Sequence, residues 1–173
     1  MLKLSIVTIT KNNPRELTMT LNSIFGQSFK KNMELIIVNG GKKITQNFKS
    51  KDFKIKIISD KTSGIYGAMN LGSKIANGNH ILYLNAGDKL NNEKVLENLN
   101  KYSLSKKCSY FFICKVIGKI KNWYIPNNEK KIIPGDSVPV HQSILFNKKF
   151  YKNVYYNSNY KIAADYEYKI LLL

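Results

Sequence analysis

Apolar positions in the first hundred residues alternate between two kinds of run. Leu4-Ser5-Ile6-Val7-Thr8-Ile9 is apolar or β-branched at both parities, the pattern of a strand buried on two faces of a mainly parallel sheet. A helix pattern follows: Asn13 as N-cap, Pro14 at the first helical position, Glu16 three residues after the cap, and Leu17, Leu21, Ile24 and Phe25 at helical spacing. Glu34 to Val38 reads as a second buried strand, closed by Asn39-Gly40-Gly41, and Ile55 to Ser59 as a third that leads to Asp60. From Gly64 to Ala76 the small residues on the apolar face predict a helix lying close against the sheet, with Gly78 as its C-terminal cap. His80 to Leu84 is a fourth strand, stopping at Asn85-Ala86-Gly87-Asp88, after which Asn91 or Asn92 caps a helix to about Tyr102. Strands alternating with helices imply βαβ units, a parallel sheet, and ligands beyond the carboxyl ends of the strands. The polar clusters after Ile9, Val38, Ser59 and Leu84 are four such ends.

Beyond Cys108 the pattern turns antiparallel: Tyr110 to Ile120, Trp123 to Ile125 and Val138 to Phe146 read as strands, and a last helix begins near Ala163. That helix runs into Leu171-Leu172-Leu173 without a cap, so the chain reads as cut short. Cys108 and Cys114 share parity in one predicted strand and have no partner of zinc spacing, which makes them reduced core thiols. The expectation is one domain, with residues 1–102 as its first part and residues 103–173 as a smaller, incomplete antiparallel part.

The formal charge of +17, from 28 basic and 11 acidic residues, points first to a polyanionic partner. Only Arg15 is an arginine and the other basic residues are lysines, whereas bidentate contact with guanine or phosphate needs the planar guanidinium fork. The charge alone therefore leaves a nucleic-acid module and a solvated, lysine-rich surface both open. No apolar run approaches the roughly 20 residues of a membrane span, and no charged-then-apolar signal opens the chain, so a cytoplasmic protein is expected. Neither G-x-x-x-x-G-K-[ST] nor G-x-G-x-x-G occurs, and His80 and His141 are too far apart for a helical zinc pair.

Four places hold candidate chemistry. Asp88 stands at a strand end after a glycine, where a hard carboxylate can meet both a divalent cation and a diphosphate; the plainer alternative is a turn before the next helix. Asp60 is also at a strand end and is as readily a loop residue. Asp165, in Ala163-Ala164-Asp165-Tyr166-Glu167, has the small neighbours that would desolvate a general base, or it complements a helix dipole. Glu167 points elsewhere on a helix, so facing carboxylates of the glycosidase kind are not expected. His141-Gln142 inside an apolar strand needs partners or a ligand.

Taken together, these blocks resemble family 2 glycosyltransferases. Ser5-Ile6-Val7-Thr8-Ile9-Thr10-Lys11-Asn12 is similar to the family's opening strand, Leu21 to Ser28 to its "L-x-S-I-x-x-Q-[ST]" helix, and Glu34 to Gly41 to its second strand and turn. Asp60 to Asp88 is similar to the "D-x-G-I-Y-D-A-M-N-x-G-x-x-x-A-x-G-x-x-[IL]-x-F-L-N-x-G-D" block of bacterial members that build surface polysaccharides. Val140-His141-Gln142 and Lys161 to Glu167 resemble that subgroup's "H-Q" and "A-x-D-Y-[DE]" segments.

The resemblance implies a GT-A, Rossmann-like α/β fold with a mainly parallel sheet flanked by helices. It implies an inverting transfer of sugar from a UDP- or GDP-sugar to a glycan or lipid-linked acceptor at the inner face of the membrane. Asp88 would hold manganese or magnesium and Asp165 would be the base. Thr8, Thr10, Asn39 and Asp60 would line the nucleoside pocket, Met69 and Asn70 would stand near the sugar or diphosphate, and Asn85, His141 and Gln142 would complete substrate binding. The chain departs from the family where Asn39 replaces the usual acid, Lys42 a serine, Lys11 a tyrosine and Gly67 the "G-I-Y-D" aspartate, and the strand-end motif carries one carboxylate. The alternatives are a degenerate nucleotide-binding relative without catalysis and, against the scarcity of arginine, a nucleic-acid module. Peripheral contact with anionic lipid fits the lysines.

Overall fold

The computed structural model describes residues 3–61, 64–102, 104–105, 107–118, 121–125, 140–160 and 164–171. The predicted alternation is present: β1 (Leu4–Thr10), α1 (Pro14–Phe25), β2 (Met33–Asn39), β3 (Lys54–Ser59), α2 (Ile65–Ile75), β4 (His80–Tyr83) and α3 (Val95–Lys101). β1, β2, β3 and β4 are parallel, with β1 between β2 and β4. β1 and β2 are buried almost throughout, which is why their sequences are apolar at both parities.

One layer packs α1 on the sheet through Leu17, Leu21 and Ile24 with Leu4, Ile6, Leu35 and Ile37. Burying each of these α1 side chains contributes about 1.5–3 kcal/mol. The opposite layer packs α2 through Ala68, Met69 and Ala76 against Val7, Ile36 and Val38. The small α2 face works as expected: a Cβ added at Gly72 would lie 2.4 Å from Val7 Cγ1.

Several helix ends differ from expectation. Asn13 precedes α1 but its side chain makes no capping hydrogen bond. α2 ends at Ala76, in extended backbone. Gly78 serves instead as a contact point, because a Cβ there would lie 2.6 Å from both the His80 carbonyl oxygen and the Ser5 nitrogen. α3 starts at Val95 rather than after Asn91 or Asn92, and its Leu96 N–H donates to Gln27 Oε1 at 3.0 Å. The cap thus comes from the end of α1, far away in sequence.

The second part also differs. The predicted strand from Tyr110 to Ile120 is broken into β5 (Tyr110–Phe111), which joins the main sheet, and β6 (Cys114–Ile117), which pairs antiparallel with β7 (Asn122–Ile125) in a separate ribbon. Cys108 and Cys114 therefore share no strand face; Cys108 is exposed, Cys114 is half-buried, and both are free thiols. His141–Ser143 is a 3₁₀ turn rather than mid-strand, and β8 (Ile144–Asn147) begins after it, antiparallel to both β4 and β5. The main sheet runs β3-β2-β1-β4-β8-β5. α4 (Lys148–Asn153) and α5 (Ala164–Ile170) follow. Phe150 and Tyr168 of these helices pack with Tyr83, Phe146 and Tyr156 in the α2 layer.

Asn70 ties the two parts together. Its Nδ2 donates to the Tyr156 carbonyl at 2.8 Å and its Oδ1 accepts from the Tyr156 N–H at 2.8 Å. This pair imitates one rung of a sheet between a helix and an extended segment.

Candidate active site

The carboxyl ends of β1 and β2 open on a cavity of about 530 Å³. Thr10 and Asn39 form its floor, Asn12, Asn13, Pro14 and Leu17 one wall, and the loop from Lys42 to Gln46 the other. Asn39 shapes that loop: its Nδ2 donates to the Lys42 carbonyl at 2.8 Å and its Oδ1 accepts from the Gly41 N–H at 3.0 Å. Both halves of the amide are engaged with its own turn, and the lining contains amides, hydroxyls and two lysines but no acid.

On the other side of the β1 carboxyl end, the chain leaves β4 and makes the turn Asn85-Ala86-Gly87-Asp88. Leu84 N–H donates to Val7 O and Ala86 N–H to Ile9 O, so the turn begins as a continuation of the sheet ladder. Gly87 has φ +102°, a conformation that costs a side-chain-bearing residue steric strain. α1 holds the turn from outside: Thr20 Oγ1 donates to the Asp88 carbonyl at 2.7 Å and accepts from Gly87 N–H at 2.9 Å. Thr20 is the one hydroxyl among the buried residues of α1, Leu17, Thr20, Leu21 and Ile24, and that position on an otherwise apolar face is its signal in the sequence.

Asp88 is half-buried and faces the 3₁₀ turn. Its Oδ2 accepts from Asn85 N–H at 3.1 Å and from Gln142 Nε2 at 3.0 Å. Burial pushes its carboxyl above the ordinary range, while the Gln142 hydrogen bond, the neighbouring His141 and the Asn85 N–H draw it partly back. Asn85 Nδ2 lies 3.1 Å from His141 Nε2, so the two residues of the "H-Q" pair each engage one end of the same turn. Two oxygens near this turn, Asn85 Oδ1 and Glu16 Oε2, are buried with no hydrogen-bond partner among the described residues.

A divalent cation fits this chemistry. Asp88 supplies a carboxylate and Asn85 an orphaned amide oxygen, both hard donors, and magnesium-like ions take one or two carboxylates with phosphate oxygens completing the shell. Among the described residues no three or more His, Cys, Asp or Glu converge on one point, so the protein's share of any coordination here would rest on Asp88 and Asn85.

The other expected residues are placed as follows. Thr10 and Asn39 line the cavity; Thr8 does not, being fully buried with no hydrogen-bond partner for its Oγ1 among the described residues. Asp60 follows β3 beside the β2 end, its N–H donating to the Asn39 carbonyl at 2.8 Å, but it is not part of the lining. Met69 is fully buried in the α2 core layer, because its helix turns it toward the sheet, and Asn70 is spent on Tyr156. Neither lines the cavity. Asp165 is in the first turn of α5; its side chain is not among those described. Asn12, Asn13, Lys43, Thr45 and Gln46 also line the cavity, beyond the residues expected to bind substrate.

Comparisons with known proteins agree with this architecture. The model for glycosyl transferase family 2 matches residues 5–164. Glycosyltransferase GlyA of Streptococcus pneumoniae is 25% identical over 171 residues, which make up 94% of this chain and 23% of that protein. The crystal structure of S. aureus TarS 1-349 in complex with UDP superposes with a TM-score of 0.73 at 17% identity, covering 97% of this chain and 54% of that one. The mannosyltransferase PcManGT from Pyrobaculum calidifontis, in complex with GDP-Man and Mn2+, gives a TM-score of 0.50 at 14% identity over 62% of this chain and 34% of its own. The chain thus spans about half of the TarS structure and less than a quarter of GlyA. At such identities the structural likeness establishes the GT-A fold. With the family model matched along nearly its whole length and that fold shared, the chain belongs to glycosyl transferase family 2.

Proposed function

We infer that this protein is an inverting glycosyltransferase that moves a sugar from a UDP- or GDP-sugar to a glycan or lipid-linked acceptor in cell-surface polysaccharide synthesis. The observation that carries the reading is the placement of a nucleoside-sized cavity and a half-buried strand-end carboxylate on the two sides of the β1 carboxyl end. A nucleotide seated against Thr10 and the Lys42 to Gln46 loop would lead its diphosphate over the first turn of α1 toward Asp88. The UDP and GDP-Man complexes of TarS and PcManGT support a nucleotide-sugar donor.

Asp88 and Asn85 would hold manganese or magnesium. When bound, the cation would offset the charge that develops on the departing diphosphate. Asp165 is assigned as base on its "A-x-D-Y" context: its carboxylate takes the acceptor hydroxyl proton as the new bond to the anomeric carbon forms and the bond to the phosphate oxygen breaks. A single displacement of this kind inverts the anomeric centre. Residues 1–102 serve the donor and residues 103–173 the acceptor, and the lysine-rich surface suits work beside anionic lipid at the inner membrane face.

The test is calorimetry with UDP and GDP, each with and without Mn2+, followed by a screen of UDP- and GDP-sugars for hydrolysis or transfer. Manganese-dependent binding of one nucleotide, and turnover that falls by about 10²-fold or more in Asp165→Asn, are expected. Binding without turnover of any sugar nucleotide would leave a nucleotide-binding protein and remove the catalytic reading.

A further inference from the structure

We propose that Gln142 is a positioning residue for Asp88, fixing which carboxylate oxygen is presented to the cation. The proposal rests on the reading of Asp88 as the cation's carboxylate ligand. Two donors, Gln142 Nε2 at 3.0 Å and Asn85 N–H at 3.1 Å, converge on the same oxygen, Oδ2. Among the described residues no hydrogen bond reaches Oδ1. Two donors on one oxygen and none on its twin lock the side-chain torsion, so that Oδ1 is held as the free ligand.

Gln142 is itself set by the fold. It occupies the 3₁₀ turn His141–Ser143, which is closed by Ser143 N–H and Ser143 Oγ donating to the Val140 carbonyl at 2.9 and 2.8 Å. That turn runs directly into β8, which is paired to β4 through Leu82↔Leu145. The strand that ends in Asp88's turn and the strand that begins after Gln142 are therefore antiparallel neighbours, and the ladder between them sets the distance from amide to carboxylate. His141, at 3.1 Å from Asn85 Nδ2, fastens the other end of the same turn. Partners that orient a metal's ligands affect affinity by about 10–100-fold when removed.

The experiment measures Mn2+-dependent and metal-free UDP affinity by calorimetry on the full chain, for the unsubstituted protein, Gln142→Ala and Gln142→Met. Methionine keeps the length of the side chain and removes the donor, which separates the hydrogen bond from packing. Expected are a 10–100-fold loss of Mn2+-dependent affinity in both variants, metal-free UDP affinity unchanged within twofold, and an unchanged melting temperature in EDTA. A Mn2+-dependent affinity within twofold of the unsubstituted protein in Gln142→Met overturns the positioning role and leaves Asp88 as ligand. Equal losses with and without metal also overturn it, since they mark general damage. An unsubstituted chain whose UDP binding ignores Mn2+ removes both this role and the cation site it rests on.

Discussion

A half-buried carboxylate stands at each end of the central sheet, Glu34 at one and Asp88 at the other, and the two are treated in opposite ways. At the amino end, Glu34 Oε1 accepts from Ser5 Oγ at 2.7 Å and from Asn77 N–H at 2.6 Å, while Oε2 pairs with Lys56 Nζ at 2.8 Å. Ser5 Oγ in turn accepts from Gly78 N–H at 2.8 Å, and the Gly78 carbonyl accepts from the buried Tyr151 hydroxyl. Burial pushes the Glu34 carboxyl up, but Lys56, Asn77 and Ser5 outweigh it and hold the group below the ordinary range. At the carboxyl end Asp88 has two donors on one oxygen and is held above its ordinary range, beside oxygens with no hydrogen-bond partner among the described residues. The difference is between a network completed by folding and one that folding leaves partly unsatisfied. Unmet polar groups cost stability, and among the described residues two of them, Asn85 Oδ1 and Glu16 Oε2, stand beside the Asp88 turn.

The contrast is broken most sharply by Asp88→Asn. Manganese-dependent UDP affinity should fall by about 100-fold or more, while the melting temperature in EDTA at neutral pH should rise, because a poorly compensated buried charge is replaced by a neutral amide. Loss of both affinity and stability would mean that Asp88 belongs to the structural class after all. Next in size is Gly78→Ala, whose Cβ would meet backbone atoms of His80 and Ser5 at 2.6 Å. A loss of about 2–4 kcal/mol in urea unfolding is expected, with UDP affinity per folded molecule unchanged.

The smallest effect is that of Glu34→Gln, about 1–3 kcal/mol at pH 7. Its sign with pH follows from the lowered carboxyl: the charged group's stabilisation is complete above the ordinary glutamate range and drains away as pH falls through its folded value. Variant and unsubstituted chains should therefore converge in stability under acid conditions. A gap that stays constant from pH 7 down to pH 3 would show that shape, rather than charge, is what Glu34 contributes.

The parallel strands were legible in the sequence because burial on both faces writes itself into consecutive residues, as in Leu35-Ile36-Ile37-Val38. The strand-end turn with Asp88 was legible for a related reason: polar residues after such a run have only the sheet edge to occupy. His141-Gln142 was misplaced because it abuts Ser143-Ile144-Leu145-Phe146, and an apolar run does not show that its strand begins three residues later. Partners supplied from far along the chain left no local trace. Gln27 capping α3, Asn70 clasping Tyr156 and Thr20 holding the Asp88 turn are pairings across 65 residues or more, and in none of them does the sequence around one partner name the other.

The sheet order has a consequence for how the protein is made. β4 pairs with β1 on one edge, but its other edge is closed by β8, which is synthesised about 60 residues later, some 3–12 s at ribosomal rates of 5–20 residues per second. Through that interval the growing chain carries an open, apolar strand of His80-Ile81-Leu82-Tyr83, the kind of edge that recruits other strands. The parallel part of the sheet thus stays open to misassembly at the ribosome until β8 arrives, which both seals that edge and delivers Gln142 to Asp88.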